Sequence, residues 1–215
     1  MDDFSQLSVD RLLDEVAGRT PTPGGGCVTG IAGALACALA RMVTAYALKP
    51  ATAPSTAARL GSFAAAFGRA DELLRALAYQ DAAAYEKLTK AAQDREKGKS
   101  PTAEAVLAEA VLAATGVPME MAAVLSRMLH ALDDLKELAG RYLLSDLGIA
   151  AVLAEAAAKS AEYTVKINAG RIADQTIRTK VLADIRMIIN RCGVHQRSIE
   201  DFVRLRLENA SPSGR

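Results

Sequence analysis

The chain has 215 residues, with 26 Lys and Arg against 25 Asp and Glu, four Phe, five Tyr and no Trp. This balance of charge argues against general nucleic-acid binding, which requires a basic surface. The few aromatic residues and abundant alanine favour closely packed helices over a β-sandwich. Cys27, Cys37 and Cys192 are too widely spaced for a disulfide framework or a zinc site. With an acidic start that lacks an apolar signal segment, they predict reduced thiols in a cytoplasmic protein.

The first predicted helix covers residues 4–17 and precedes a glycine-rich loop. Asp2, Asp3 or Ser5 can supply its N-cap, and Gly18 its end. Helical spacing of apolar residues continues from there to the end of the chain, and no segment alternates as a strand does. The sequence therefore predicts an all-α protein.

A proline and three glycines, Pro23, Gly24, Gly25 and Gly26, lead directly into the second predicted helix. Glycines let another group approach the backbone closely. The start of a helix also presents free N–H groups and the positive end of its dipole. The loop therefore predicts a binding site. It is not a P-loop, because the Gly-Lys-Ser/Thr triplet of that motif does not follow it.

A third, very long helix is predicted from about residue 55 to residue 93. Its apolar positions step by three and four residues, and Asp81 falls within that seam, with Tyr85 one turn further. A carboxylate at a core position is costly unless it is paired or used, so Asp81 is either half of an ion pair or a functional group. If the second and third helices form an antiparallel hairpin, the glycines lie level with about residues 76–78 and Asp81 about one turn away.

After a polar break at residues 94–101, further helices are predicted at residues 102–115, 118–139, 146–168, 172–191 and 197–208. The expected stops between them are Gly116 with Pro118, Gly140, Gly170 and Gly193. No linker separates two cores. We therefore predict a single up-and-down helical bundle domain over residues 1–209, followed by a disordered tail at residues 210–215.

One face of the helix predicted at residues 146–168 carries three polar side chains, Asp146, Thr164 and Asn168. Asp146 also fits an ordinary helix start, and Asn168 also fits the residue that closes a helix before Gly170. In an unbroken helix Asp146 and Asn168 are about 33 Å apart. They therefore cannot both contact one reacting atom within a single subunit.

Several other features favour ordinary structural roles. His130 and His195 stand alone in the sequence, without a second ligand at metal-binding spacing, so no metal site is predicted. Cys27 is either a thiolate stabilised by the helix dipole or, more often, a small packing residue. The apolar stretch at residues 28–48 is interrupted by Arg41 and predicts a core helix, not a membrane span. The basic residues of the last third, Arg171 among them, alternate with acidic ones as on a solvated face.

The segment PTPGGGCVTGIAGALACALARMV resembles the opening signature of the cyclodeaminase/cyclohydrolase family. DAAAY at residues 81–85, ATGVPMEMA at 114–122 and SDLGIAAVLAEAAAKSAEYTVKIN at 145–168 extend the resemblance over about residues 4–190. The resemblance implies a homodimer, or a larger assembly of dimers, formed through helices. It also implies action on tetrahydrofolate one-carbon units without a metal or redox cofactor. Members close 5-formimino-tetrahydrofolate to the 5,10-methenyl form with loss of ammonia, or hydrolyse the methenyl bridge to 10-formyl-tetrahydrofolate.

The resemblance also implies roles for particular residues. Asp81 would be the general acid and base, and Asp146 would hydrogen-bond the pterin or orient water. The three glycines would admit the flat pterin and supply backbone N–H groups. The further substrate-binding candidates are Pro23, Cys27, Lys49, Tyr85, Thr164 and Asn168.

Three residues depart from the family pattern. Cys27 replaces a serine, Lys49 is what remains of a lysine-rich segment, and Thr164 stands where asparagine is common. Two alternatives therefore stay open beside the enzyme: a folate- or pterin-binding relative with altered catalysis, and a non-enzymatic helical assembly protein. The sequence does not separate deamination from hydrolysis, or folate from a modified pterin such as a methanopterin.

Overall fold

The computed structural model describes residues 7–98 and 100–209. Over these residues the chain is mainly helical and contains no strand, which confirms the predicted all-α class. The helices are α1 (Val9–Ala17), α2 (Gly25–Ala47), α3 (Pro54–Lys97), α4 (Pro101–Leu135), α5 (Leu144–Ala169) and α6 (Gln175–Glu208). Two short 3₁₀ turns, Lys136–Leu138 and Arg141–Leu143, connect α4 to α5. The tail at residues 210–215 and the predicted caps Asp2, Asp3 and Ser5 lie outside the described residues.

Helices α2 to α5 form a four-helix bundle. Helix α2 packs against α3 and α5, α4 also packs against α3 and α5, and α6 covers α4 and α5. The core is apolar, and its largest fully buried side chains include Phe67, Leu74, Leu125, Leu129, Leu147 and Ile185. The largest apolar cluster includes residues of α2 to α6, and it fixes where the ends of α2 and α5 lie relative to α3.

The predicted division of α4 into two helices is wrong. Helix α4 continues through Gly116 and Pro118, and Pro118 is buried inside it. Proline in a helix interior costs about 3 kcal/mol. Burial of apolar side chains on both sides of it, such as Val111 and Met121, offsets this cost because it requires a continuous helix.

The predicted stop at Gly193 is also wrong, because α6 runs through it without a break. A Cβ atom on Gly193 would lie 3.1 Å from Nη1 of Arg197 and 3.8 Å from Oε1 of Glu155. Gly193 is therefore a buried residue within α6, with the side chain of Arg197 from the same helix against it. Gly18, by contrast, does end α1, and Gly170 ends α5.

A polar network joins the end of α4 to α6, so His195 does not stand alone as the sequence suggested. Its Nδ1 lies 2.9 Å from Oδ2 of Asp133, and Ser198 donates a hydrogen bond of 2.9 Å to the other carboxylate oxygen. Lys136 contacts the same Asp133 oxygen at 2.6 Å. The ring of His130 is 4.8 Å from that of His195, centre to centre.

By length and composition alone, α2 and the segment Pro101–Leu138 could each cross a membrane. This is weak support for a membrane protein, because a core helix of a soluble protein passes the same test. Helix α2 buries a continuous face in the bundle, including Ala36, Cys37, Ala40 and Val43. Its position is thus that of a core helix.

Candidate functional site

The glycine loop and Asp81 lie against each other at the start of α2. A Cβ atom on Gly26 would be 1.9 Å from Oδ2 and 2.6 Å from Oδ1 of Asp81. Real atoms cannot approach so closely, so the present position of the carboxylate requires glycine at residue 26. Helices α2 and α3 form the expected antiparallel hairpin. Gly26 lies level with Asp81, about one turn further along α3 than the predicted residues 76–78. Gly30 lies against Ala78, where a Cβ atom would be 2.7 Å from the alanine Cβ.

This contact forms one end of a cleft of about 240 Å³. The cleft is enclosed by the loop before α2, the middle of α3, one residue of α4 and the end of α5. Its lining residues are Pro21, Thr22, Gly24, Gly25, Gly26, Asp81, Ala82, Tyr85, Leu88, Ala114, Thr164, Ile167, Asn168 and Arg171. Seven predicted site residues are thus brought together: the three glycines, Asp81, Tyr85, Thr164 and Asn168.

Asp81 combines partial burial with the absence of a partner. Its side chain is half-buried, and among the described residues none forms a hydrogen bond or ion pair with its carboxylate. Burial therefore disfavours the charged form and raises the pKa of Asp81 to about 6. Both protonation states are populated near neutral pH, which suits a group that must accept and return a proton.

The wall of the cleft formed by Gly24, Gly25 and Gly26 offers backbone groups, not side chains. Gly24 occupies the N-cap position of α2 and provides no side chain to cap the helix. The first N–H groups of a helix have no partners within it, and the helix dipole adds positive potential there. Since Gly24, Gly25 and Gly26 line the cleft, these N–H groups are available to a bound molecule with acceptor atoms.

The opposite wall is the end of α5, which is fixed to α4 by one side chain. Asn168 donates a hydrogen bond of 2.8 Å from Nδ2 to the backbone oxygen of Ala114. Asn168 thus lines the cleft and anchors the helix end at the same time. The backbone N–H of Arg171 donates to the oxygen of Asn168 at 2.9 Å, which holds the residue after Gly170 close to the helix.

Arg171 lines the cleft, whereas the alternating charges of the last third of the sequence predicted a solvated face for it. Its spacing contained a usable signal. Thr164, Asn168 and Arg171 are separated by four and three residues, so a helix places them on one face. The intervening Gly170 concealed this pattern, since it marked the end of the helix.

Two predicted residues lie beside the cleft without lining it. Pro23 is buried. Cys27 is 1% exposed and packs with Ala78 and Ala82. Burial, with a smaller contribution from the charge of Asp81, raises the pKa of Cys27 to about 11. The residue is therefore a neutral packing thiol, and the thiolate alternative has no support.

Two other predicted residues lie far from the cleft in the same chain. Lys49 is exposed just after α2 and lies about 34 Å along that helix from the glycines. Asp146 is half-buried in the first turn of α5, about 33 Å from Asn168. Neither can reach a molecule bound between Gly26 and Asp81 of its own subunit.

The cleft lining includes one carboxylate, no histidine and no cysteine, which is too small a donor set to fix a metal ion. Across residues 7–98 and 100–209, no group of three or more His, Cys, Asp or Glu side chains is placed to hold one. The chemistry available at the cleft is thus proton transfer by Asp81, with hydrogen bonding from backbone and amide groups.

Comparison with known proteins relates this arrangement to one family. The family model described as formiminotransferase-cyclodeaminase matches residues 8–187. A methenyltetrahydrofolate cyclohydrolase of Methylorubrum extorquens is 24% identical over 200 residues, which cover 92% of this chain and 96% of the relative. The crystal structure of formiminotetrahydrofolate cyclodeaminase from Thermotoga maritima superposes with a TM-score of 0.86 at 30% identity, covering 94% of this chain and 98% of that one. The chain therefore belongs to the formiminotransferase-cyclodeaminase family.

Proposed function

We propose that this protein acts on the one-carbon bridge of tetrahydrofolate, with Asp81 as general acid and base. Its relatives are a methenyltetrahydrofolate cyclohydrolase and a formiminotetrahydrofolate cyclodeaminase. The observation that carries the proposal is the carboxylate of Asp81, which lies against Gly26 in a cleft and has no partner among the described residues. Raised to about 6, its pKa suits proton transfer near neutral pH.

In the hydrolytic reaction, water attacks the carbon between N5 and N10 of the 5,10-methenyl cation. The Asp81 carboxylate takes one proton from this water, which leaves a hydroxyl group on a tetrahedral carbon. The C–N5 bond then breaks as the C=O bond forms. Asp81 returns its proton to N5, and the hydroxyl proton passes to solvent. The product is 10-formyl-tetrahydrofolate, with one net proton released.

In the deamination reaction, N10 attacks the carbon of the protonated formimino group on N5, and Asp81 accepts the N10 proton. Asp81 then returns that proton to the amino group of the tetrahedral intermediate. The C–N bond to this group breaks, ammonia leaves, and the 5,10-methenyl cation forms. Both reactions pass through a tetrahedral carbon between N5 and N10, so one carboxylate can serve either of them.

The walls of the cleft fit a flat bicyclic ring. Gly24 and Gly25 carry no side chains that would obstruct a ring, and a Cβ atom on Gly25 would meet nothing within 4 Å. The first-turn N–H groups of α2 can donate to acceptor atoms of the pterin. Tyr85, Thr164 and Asn168 complete the proposed pterin site from α3 and α5. No cofactor is part of the proposal.

The proposal includes a homodimer formed through helices. Helix α2 carries an apolar stripe on its outer face, where Val28, Leu35 and Tyr46 are 42%, 57% and 68% exposed. Such a continuous stripe at helical spacing is typical of a face that packs against another helix. A second copy of this chain is the proposed occupant. Asp146 and Lys49 would act at a cleft only if the second subunit brought them there.

Equilibrium sedimentation tests the dimer. We expect a dimeric wild-type protein, and a monomer after Leu35→Glu, because a charge would be buried in an apolar contact. The control Glu72→Gln changes an exposed residue of α3 and leaves the assembly unchanged. A monomeric wild type would contradict this part of the proposal. A cytoplasmic location remains a prediction.

The activity is tested with purified protein and two substrates. Loss of the 5,10-methenyl-tetrahydrofolate absorbance, compared with its spontaneous hydrolysis, reports the hydrolytic reaction. Appearance of the same absorbance from 5-formimino-tetrahydrofolate, together with ammonia, reports deamination. Catalysis of either supports the proposal, and the ratio of the two rates identifies the main reaction.

The two other functional readings make different predictions in the same assays. A catalytically altered relative would bind 5,10-methenyl-tetrahydrofolate by calorimetry without accelerating either reaction. A helical assembly protein would show neither binding nor turnover. Either result would contradict the proposed enzymatic activity.

A further inference from the structure

We propose that Arg171 binds the glutamate carboxylates of the folate substrate and so sets its orientation in the cleft. This inference rests on the proposed function. It assigns a substrate-positioning role to a residue that neither the motifs nor the family resemblance identified.

The charges of the cleft are few and of opposite sign. Asp81 and Arg171 are its two charged lining residues. The Arg171 guanidinium is exposed and forms no ion pair or hydrogen bond with any residue described by the structure. Many of its neighbours are paired: Lys166, for example, contacts Glu162 at 2.7 Å. A free guanidinium at a cleft wall is able to bind a carboxylate in two-pronged fashion.

The two charges lie at opposite ends of the cleft. Helices α3 and α5 both run antiparallel to α2, so they run parallel to each other. Along α3 the lining runs from Asp81 to Leu88, which is seven residues or about 10 Å. Along α5 it runs from Thr164 to Asn168, and Arg171 follows just beyond the end of that helix. Leu88 belongs to the same apolar cluster as Ala169, which places Arg171 near the level of Leu88.

This separation matches the substrate. From the carbon bridging N5 and N10 to the glutamate α-carboxylate, standard bond lengths give a distance of about 10 Å. Between these points lies the apolar p-aminobenzoyl ring. Between Asp81 and Arg171, the cleft is lined mainly by the apolar or aromatic side chains of Tyr85, Leu88 and Ile167. With the reacting carbon at Asp81, the carboxylates reach Arg171.

The position of Arg171 is fixed more firmly than its exposure suggests. Its backbone N–H is bound to the oxygen of Asn168, whose side chain is bound in turn to Ala114 of α4. Lys49, the one cation among the predicted substrate-binding residues, lies at the far end of α2. Among the residues that line the cleft, Arg171 is therefore the one cation, and it is placed to meet the tail of a bound folate.

Equilibrium binding of p-aminobenzoyl-glutamate tests the inference without turnover. We expect Arg171→Ala to weaken binding of this fragment about tenfold, the loss typical of one charge-assisted hydrogen bond near solvent. Binding of p-aminobenzamide, which lacks the carboxylates, should stay unchanged. Arg171→Lys should recover part of the affinity. The control Arg178→Ala removes an equal charge from α6, outside the cleft, and should leave both affinities at the wild-type value.

Steady-state kinetics separate this inference from the proposed function. If the wild type is active, Arg171→Ala should raise KM about tenfold and leave kcat within twofold, with the pH profile unchanged. Equal affinity of wild type and Arg171→Ala for p-aminobenzoyl-glutamate, or an unchanged KM, would overturn the role of Arg171 while the enzymatic activity stands. A wild type without turnover would overturn the proposed function itself.

Discussion

Two aspartates on α3 lie ten residues apart and have opposite environments. Asp71 is 8% exposed, and Arg75 and Arg41 hold its carboxylate at 3.0 and 3.4 Å. Asp81 is half-buried, faces the glycine loop and has no partner among the described residues. Burial is therefore not what distinguishes a functional carboxylate here. Ion pairs with two arginines satisfy the more buried Asp71. Asp81 has no such pair, so its pKa stays raised and its carboxylate faces an open cleft.

Asp81→Asn provides the most severe test of this comparison. Loss of a general acid and base lowers turnover by about 10² to 10⁴-fold, so we expect at least a hundredfold loss of kcat. Stability should not fall, because the change removes a partly buried, unpaired charge. The matched control is Asp94→Asn, at an exposed ion pair with Lys97 on the same helix. Full turnover by Asp81→Asn would eliminate the mechanism.

Gly26→Ala tests whether the carboxylate depends on the glycine. The new methyl group would overlap Asp81, which must move, so we expect about a hundredfold loss of activity and about 2 kcal/mol of stability. Gly61→Ala on α3 is the control, since a Cβ atom there meets nothing within 4 Å and the residue lies outside the cleft. In an Asp81→Ala background, Gly26→Ala should cost little stability. Equal costs in both backgrounds, measured by urea unfolding, would refute the contact.

Asp71→Asn should lower stability and leave activity nearly unchanged, which is the reverse of the effect expected for Asp81→Asn. It removes the partner of two arginines, and because both are partly exposed we expect a loss of about 2 kcal/mol of unfolding free energy. Activity of the folded protein should stay within threefold of the wild type. If Asp71→Asn instead abolished turnover at full stability, the assignment of roles to the two aspartates would be reversed.

The pH dependence of activity should follow the ionisation of Asp81. As a base, its ionised form is active, so kcat/KM should fall about tenfold per pH unit below a midpoint near 6. Its folded pKa lies above the unfolded value of 3.8. The protonated form is therefore favoured on folding, and the destabilisation develops as pH rises from about 4 to 6. Asp81→Asn should remove this slope from the unfolding free energy, whereas Asp94→Asn should keep it.

Cys27→Ser should have the smallest effect. The thiol is buried beside the cleft without lining it, and its pKa of about 11 keeps it neutral. We expect kcat and KM within threefold of the wild type, since a hydroxyl of similar size can occupy the site. A change of tenfold or more in steady-state assays would mean that residue 27 contributes to the cleft chemistry directly.

Much of the site followed from local sequence pattern. The glycines and Asp81 could be brought together because a hairpin of two helices has a regular rise, and the error in register was about one turn. Arg171 was not found in this way, because Gly170 ends α5 just before it and concealed its helical spacing from Thr164 and Asn168. The pairing of His195 with Asp133 spans 62 residues and depends on how α6 packs against α4.

The sequence by itself determined the all-α class and the family, because helical period and residue motifs are local properties. It placed the glycine loop within about one turn of Asp81 only on the assumption that α2 and α3 form an antiparallel hairpin. Tertiary structure alone decided that α4 and α6 continue through Pro118 and Gly193, since burial on both sides outweighed local helix breaking. It also decided which aspartate of α3 is satisfied. Asp71 meets Arg41 only because α2 packs against α3 there, while Asp81 meets a glycine and an open cleft.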